Sequence, residues 1–260
     1  MSFVTRHSPI CGPSSNPSIC CNLHSPGCEE TVNQRERQNL MIDADDTLWE
    51  NNVYFERVIE EVKTMLEPFG IAPQVFRKHL DALERKHIAI YGYGTLNFTR
   101  SLLQAFEELV PSGRRDLRHR VETLGLDILN RPVEIIEGVP ETLEYLSGRH
   151  LLYLVTKGDP EEQSRKVERS GLAGYFEGVE ILPEKTARTY EQLRNQHGWD
   201  PQRTWMIGNS PRSDVNPAVS AGLNAVFIPH PYTWVLEHEE PASDPRVLLL
   251  EKFADLCLHF

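Results

Sequence analysis

The 260-residue chain carries 38 acidic and 27 basic side chains, for a net charge of −11. With no dense lysine or arginine stripe, that balance argues against a nucleic-acid-binding surface. An apolar run of about 18 residues, the length needed to span a bilayer, is absent, and no fixed-period repeat suggests an array.

Residues 1–37 read as a disordered N-terminal tail, because the stretch is rich in Ser, Pro and Cys and has neither helical nor strand period. Four of the five cysteines, Cys11, Cys20, Cys21 and Cys28, lie here with His7 and His24 among them. A zinc site is one reading, though paired Cys-x-x-Cys spacing is missing. No apolar core follows a basic start, so a secretory signal is not expected; the acid-poor, Ser-rich leader has only Arg6 to favour an organelle transit peptide. Cys257, in an apolar C-terminal stretch, reads as a buried thiol. The body of the chain thus lacks a disulfide framework, which fits a reducing compartment such as the cytoplasm.

Leu40-Met41-Ile42 then leads into Asp43-Ala44-Asp45-Asp46-Thr47. A short apolar run ending in carboxylates predicts a buried strand that opens into an acidic loop. In open α/β sheets, ligands bind outside the carboxyl ends of strands. There, one of Asp43 and Asp45 could attack an electrophile or hold a metal while the other handles a proton, and Thr47 could fix the turn. The alternative is a solvated acidic turn.

From Glu50 the pattern turns helical. Phe55, Val58, Ile59, Val62 and Leu66 mark one helix, ended by Pro68 and Gly70. Val75, Phe76, His79, Leu80 and Leu83 mark a second, followed by a break at Tyr91-Gly92-Tyr93-Gly94. Leu102, Leu103, Phe106 and Leu109 mark a third, stopped by Pro111 and Gly113; Leu117, Val121 and Leu124 mark a fourth. Residues 50–130 therefore form an all-helical block suited to cover a strand end. His79, His87 and His119 in this block read as surface or satisfied helix histidines. Tyr91, Tyr93, Asn97 and Arg100 are candidates for contacting a bound molecule.

From Arg131 the chain alternates. A helix over Pro140–Leu146 precedes a strand at Leu151–Val155, and a helix to about Ser170 precedes a short strand at Gly178–Leu182. A helix with Tyr190 and Leu193 leads to a strand at Thr204–Ile207. A helix over Val215–Ala221 leads to a last clear strand at Ala225–Ile228. This alternation predicts a parallel sheet with right-handed crossovers. His230 to Trp234 could rim the site or be a packed turn. The apolar segment Arg246–Phe260 could dock on the sheet edge.

Each strand end delivers a distinctive group. Thr156 offers a hydroxyl, and the backbone N–H groups of Lys157 and Gly158 could form an anion-binding concavity. Lys185 offers a point positive charge, and Asn209 and Asp214 offer oxygen ligands. Singly, Thr156 could close a turn, Lys185 could be a surface lysine and Asp214 could cap a helix. Together with Asp43 and Asp45 they suit a phosphoryl group with a hard cation such as Mg²⁺.

In this order the motifs resemble those of the haloacid-dehalogenase-like hydrolase superfamily. Asp43-x-Asp45-x-Thr47 is similar to its first motif, Thr156 to its second, Lys185 to its third, and Gly208-Asn209-Ser210 through Asp214 to its fourth. The resemblance spans about residues 38–230 and implies an α/β fold. Its core would be a Rossmann-like three-layer parallel sheet over residues 38–49 and 131–260, with a small inserted α-helical cap over 50–130. It further implies hydrolysis of a small phosphorylated metabolite through an aspartyl-phosphate with Mg²⁺. Asp43 would be the nucleophile and Asp45 the acid and base, with a raised pKa from neighbouring carboxylates. Thr47, Thr156, Lys157 and Gly158 would hold phosphate, and Lys185 would offset charge. Asp43, Asp45, Asn209 and Asp214 would surround the metal. Nucleic acid and membrane are not expected partners. Asn209 departs from the usual Gly-Asp of the fourth motif, which puts metal affinity in doubt and admits the dehalogenase branch. Asp45 opposes that branch, since a leaving halide needs no proton. A non-catalytic phosphate- or partner-binding relative, and a sugar-phosphate mutase, are further alternatives.

Overall fold

The computed structural model describes residues 37–110 and 114–260. The expectations for residues 1–36, including the Cys-rich stretch, and for the helix stop at Pro111 and Gly113 lie outside them.

Six parallel strands form one sheet in the order β3-β2-β1-β4-β5-β6. The strands are β1 (Asn39–Ile42), β2 (Leu151–Lys157), β3 (Gly178–Leu182), β4 (Thr204–Gly208), β5 (Asn224–Phe227) and β6 (Val247–Leu249). β1 lies at the centre, with Ile42 in register with Leu154 on one side and Ile207 on the other. Burial on both faces explains why β1 is apolar throughout its last three residues. Alternate side chains serve opposite faces. Leu40 and Ile42 join Leu152, Leu154, Ile207 and Val226 in one cluster, covered by α5 (Val139–Ser147), α6 (Pro160–Ser170) and the 3₁₀ turn Phe253–Leu258. Met41 joins Val155, Met206 and Ala225 in another, covered by α7 (Ala187–His197) and α8 (Asn216–Ser220). The result is the expected three-layer α/β arrangement.

Three local outcomes differ from expectation. β6 is a sixth strand, paired in parallel with β5 through Val226↔Leu248. It has only three residues, and Leu249 is exposed, so no period marks it. The helix expected from Val215 begins earlier, as a wide π-helical turn over Pro211–Val215 in which the Asp214 and Val215 N–H groups both donate to Ser210 O. Cys257 is half-buried rather than buried.

Four helices, α1 (Asn52–Leu66), α2 (Pro73–Tyr91), α3 (Thr95–Leu109) and α4 (Arg115–Asp127), share an apolar core of their own that includes Val62, Phe76, Leu80, Leu102 and Val121. α2 extends to Tyr91, beyond the last apolar position that marks it, and the chain turns through Gly92 and Gly94. Gly94 has a φ of +119°, and a Cβ there would lie 3.1 Å from Asp159 Cβ, so the helical unit touches the β2–α6 loop closely at this point. The Thr95 N–H and hydroxyl both donate to Glu162 on α6, at 2.8 and 2.7 Å. Among the described residues no helix is long and apolar enough to cross a membrane.

Candidate active site

The site grows from the loop after β1. The Asp43 N–H donates to Ile207 O (2.9 Å), carrying the strand pairing one residue further. Ala44 O then accepts the N–H groups of Thr47 and Leu48, which closes a tight turn. Asp46 sits in the turn with a φ of +60°. Its carboxylate accepts from the N–H groups of Asn51 (2.9 Å) and Asn52 (3.0 Å), where α1 starts. These bonds offset the cost of the left-handed backbone. Burial pushes the Asp46 carboxyl up to about 7.

Asp43 is buried and bonded to the ammonium of Lys185, which also donates to Asp214 Oδ1 (2.7 Å). All three groups are almost fully enclosed, so one cation bridges two carboxylates out of water. Burial pushes the Asp43 carboxyl up to about 7; Lys185 opposes this, while Asp214 and Asp45 reinforce it. Burial also penalises the Lys185 ammonium, but Asp214 and Asp43 hold its pKa above the usual lysine range. Asp214 has no oxygen to spare, since Oδ2 accepts the Ser210 N–H (3.0 Å). Gly208 permits this approach, because a Cβ there would lie 2.2 Å from Asp214 Oδ2.

Thr47 lies between Asp43 and the fourth motif. Its hydroxyl is 3.2 Å from Asp43 Oδ2 and 3.4 Å from Asn209 Oδ1, so it bridges the two side chains. Asn209 Nδ2 donates to Thr233 (3.0 Å). Asp45 is held by donors rather than facing carboxylates alone. Lys166 Nζ reaches both its oxygens at 3.0 Å, Gln163 Nε2 donates at 2.8 Å, and Trp49 Nε1 at 2.7 Å.

At the end of β2, the buried Thr156 hydroxyl accepts from Gln163 Nε2 (3.2 Å). Gly158 has a φ of +146°, and a Cβ would lie 3.0 Å from Gln163 Nε2. Its N–H, expected to face an anion, donates instead to Leu182 O (3.2 Å), because β2 pairs with β3 to its end. The Lys157 side chain is committed elsewhere: its ammonium donates to Glu237 (2.6 Å) and Ser213 (2.8 Å) and lies 4.4 Å from the Tyr93 ring centroid. Burial works against this charge, but Glu237, Tyr93 and Glu184 hold it well above the usual lysine range.

These groups line one cavity of about 170 Å³, walled on the other side by α1, α2 and α3. Asp43, Asp45, Thr156, Lys157, Lys185, Asn209 and Asp214 all reach it, as do Gly158, Tyr93, Asn97, Thr233 and Trp234. Thr47 stands behind Asp43 rather than on the cavity wall. Tyr91 and Arg100 do not line it; the Arg100 guanidinium stacks 3.9 Å from the exposed Tyr91 ring. Gln163, Lys166 and Glu237 also line the cavity without having been marked by any motif, as does Ser213 from within the fourth.

The donor set around Asp43 has the chemistry of a hard-cation site. Asp43 and Asn209 are oxygen-bearing side chains that both line the cavity, and the Lys185 ammonium contacts one Asp43 oxygen. Asp214 supports Lys185 rather than offering a free ligand. Among the described residues, the His, Asp and Glu side chains that converge within 4.8 Å of one another are Asp46, Glu50 and His230, and the Asp46 oxygens there already serve the start of α1.

The comparisons agree with this architecture. A haloacid dehalogenase-like family hydrolase from Xanthomonas campestris superposes with a TM-score of 0.75 at 29% identity, over 86% of this chain and 90% of its own. The fold is shared with a Bacillus subtilis HAD-hydrolase bound to magnesium (TM-score 0.58, 15% identity, 85% and 97% coverage). It is also shared with L-2-haloacid dehalogenase from Xanthobacter autotrophicus (0.58, 14%, 85% and 97%). No curated sequence relative is found. The family model for haloacid dehalogenase-like hydrolases matches residues 39–222, from the first residue of β1 to the glycine after α8, and the chain belongs to that hydrolase family.

Proposed function

We propose that this hydrolase is a Mg²⁺-dependent phosphomonoesterase that works through an aspartyl-phosphate on a small phosphorylated metabolite of nucleotide, sugar phosphate or phosphoglycolate type. The carrying observation is the presence of Asp45, a second carboxylate on the Asp43 loop that lines the same cavity. A phosphate ester expels an oxygen that needs a proton, and on this reading Asp45 supplies it.

In the first half-reaction an Asp43 oxygen attacks phosphorus, the bond to the leaving oxygen breaks, and Asp45 gives that oxygen a proton. In the second, water attacks the phosphoryl group, Asp45 takes its proton, and phosphate leaves Asp43 as a free carboxylate. Lys185 orients Asp43 and compensates charge on the phosphoryl oxygens. Thr47 holds the second Asp43 oxygen, and Thr156 offers a hydroxyl to the phosphate. Lys166, Gln163 and Trp49 hold Asp45 in position until substrate arrives. Asp43, the Asp45 carbonyl and Asn209 would hold Mg²⁺, which when bound neutralises charge on the phosphoryl oxygens and lowers the pKa of Asp43.

On this reading α1–α4 are the cap that selects the leaving group. The acidic balance and the free Cys257 support a cytoplasmic enzyme acting on a small molecule rather than on nucleic acid or a membrane.

Phosphate release from a panel of phosphomonoesters, with Mg²⁺ and with chelator, tests the proposal. Mg²⁺-dependent turnover that disappears in Asp43→Asn is expected. The neutral Asn209 supports a second reading, a 2-haloacid dehalogenase. Halide release from 2-haloacids without phosphate release would establish it over the first.

A further inference from the structure

The part of the cavity formed by α1–α3 has apolar walls from Phe55, Ile59, Ile88 and Phe98. Most of its polar groups are satisfied internally. Glu56 accepts twice from Arg77 Nη1, at 2.9 and 2.7 Å. His87 Nδ1 is bonded to Ser101 Oγ (2.8 Å), and Asn97 Nδ2 donates to Tyr91 O (2.8 Å).

Glu84 is the exception. It lies on α2 with only 6% of its surface exposed, it lines the cavity, and its Oε2 meets no donor among the described residues. A buried carboxyl without a partner is costly, and such groups are normally satisfied. An apolar cleft whose wall carries an unsatisfied buried acceptor is the form expected of a ligand subsite.

We propose that Glu84 anchors the far end of the substrate, and that this end is a protonated amine. The inference rests on the phosphatase reading for the other end, which makes the substrate an aminoalkyl phosphate. An ammonium supplies both hydrogen-bond donors and the opposite charge, the stronger of the available pairings for a carboxylate. The apolar walls suit a hydrocarbon linker between phosphate and amine.

A series of ω-aminoalkyl phosphates of increasing chain length, each paired with the alkyl and hydroxyalkyl phosphate of equal length, tests this with the full chain. 4-Nitrophenyl phosphate reports chemistry independently of the amine. The best amine should exceed its alkyl partner at least tenfold in kcat/KM, mainly through KM, and Glu84→Gln should bring that ratio close to one. A free alkylamine should also raise the Tm of the native chain and not of Glu84→Gln, a readout that needs no turnover. Equal ratios in the two chains, or a preference for the hydroxyalkyl ester, would overturn the assignment. Stabilisation by the amine without cleavage of any ester would keep the anchor and discard the phosphatase reading. Cleavage of the aryl ester without amine preference would do the reverse.

Discussion

Replacing Glu84 by glutamine should change how stability responds to pH. Burial pushes the Glu84 carboxyl up from 4.5 to about 8, with Asp81 and Glu56 adding to the shift and Arg77 and Arg85 opposing it. Between those two values the folded chain binds more protons at this site than the unfolded chain, so the native glutamate loses stability as pH rises. At about 1.4 kcal/mol per unit, the penalty is roughly 1 kcal/mol at pH 5 and about 4 kcal/mol at pH 8. Glutamine has the same shape and no charge at any pH. Any cost of burying its amide is constant with pH, so the slope of the difference isolates the carboxyl. Urea unfolding followed by circular dichroism at pH 5, 6, 7 and 8 measures it. Glu84→Gln should gain on the native chain by roughly 3 kcal/mol across that range. A difference that stays flat with pH would refute the claim that Glu84 is buried without a partner.

Other perturbations probe the remaining parts. Asp43→Asn should abolish turnover, by on the order of 10⁴-fold or more, while circular dichroism shows the fold intact; residual activity near the native level would remove Asp43 as nucleophile. Asn209→Asp should lower the Mg²⁺ concentration for half-activation roughly tenfold, and an unchanged titration would place residue 209 outside the metal shell. Gly208→Ala should cost about 3 kcal/mol or more in thermal unfolding, because its methyl would displace the buried Asp214 from Lys185. Gly125→Ala on α4 brings a Cβ to 2.5 Å from Thr99 Oγ1 on α3 and should cost roughly 1–3 kcal/mol, relieved by adding Thr99→Ala.

Much of this architecture could be read from the chain because the physics involved is local. β1 shows its burial in consecutive apolar residues, and α1–α4 show theirs in three- and four-residue spacing. The strand ends carry their chemistry within a few residues of each strand, so Asp43, Thr156, Lys185 and Asn209 could be placed on one rim. What escaped notice depends on distant contacts. Lys166 lies on α6, a helix of mostly charged and polar residues, and nothing local distinguishes it from a surface lysine; it meets Asp45 across 121 residues. Glu237 follows the last strand expected, in an irregular stretch, yet it pairs with Lys157 across 80 residues. Glu84 follows Leu83 in α2 and reads as solvated by type, and only the packing of α1 and α3 against α2 encloses it. The engagement of the Gly158 amide depends on how far β2 and β3 stay paired, which a strand of five residues does not declare.

Asp46 fastens the loop that bears Asp43 and Asp45 to the first turn of α1. The chain passes from sheet to helical unit through residues held by the Asp46 carboxylate, and returns through residues 131–138. The two passages are themselves joined, since the Glu50 N–H donates to Glu134 O (2.9 Å) and the Ile136 N–H to Leu48 O (3.0 Å), so they form one two-stranded connection beside Asp43 and Asp45. Lys166 spans the same joint, its ammonium donating to both Asp45 (3.0 Å) and Asn51 (2.8 Å). On the proposed reading, the residue that would handle the proton is thereby tethered to the first residues of the cap.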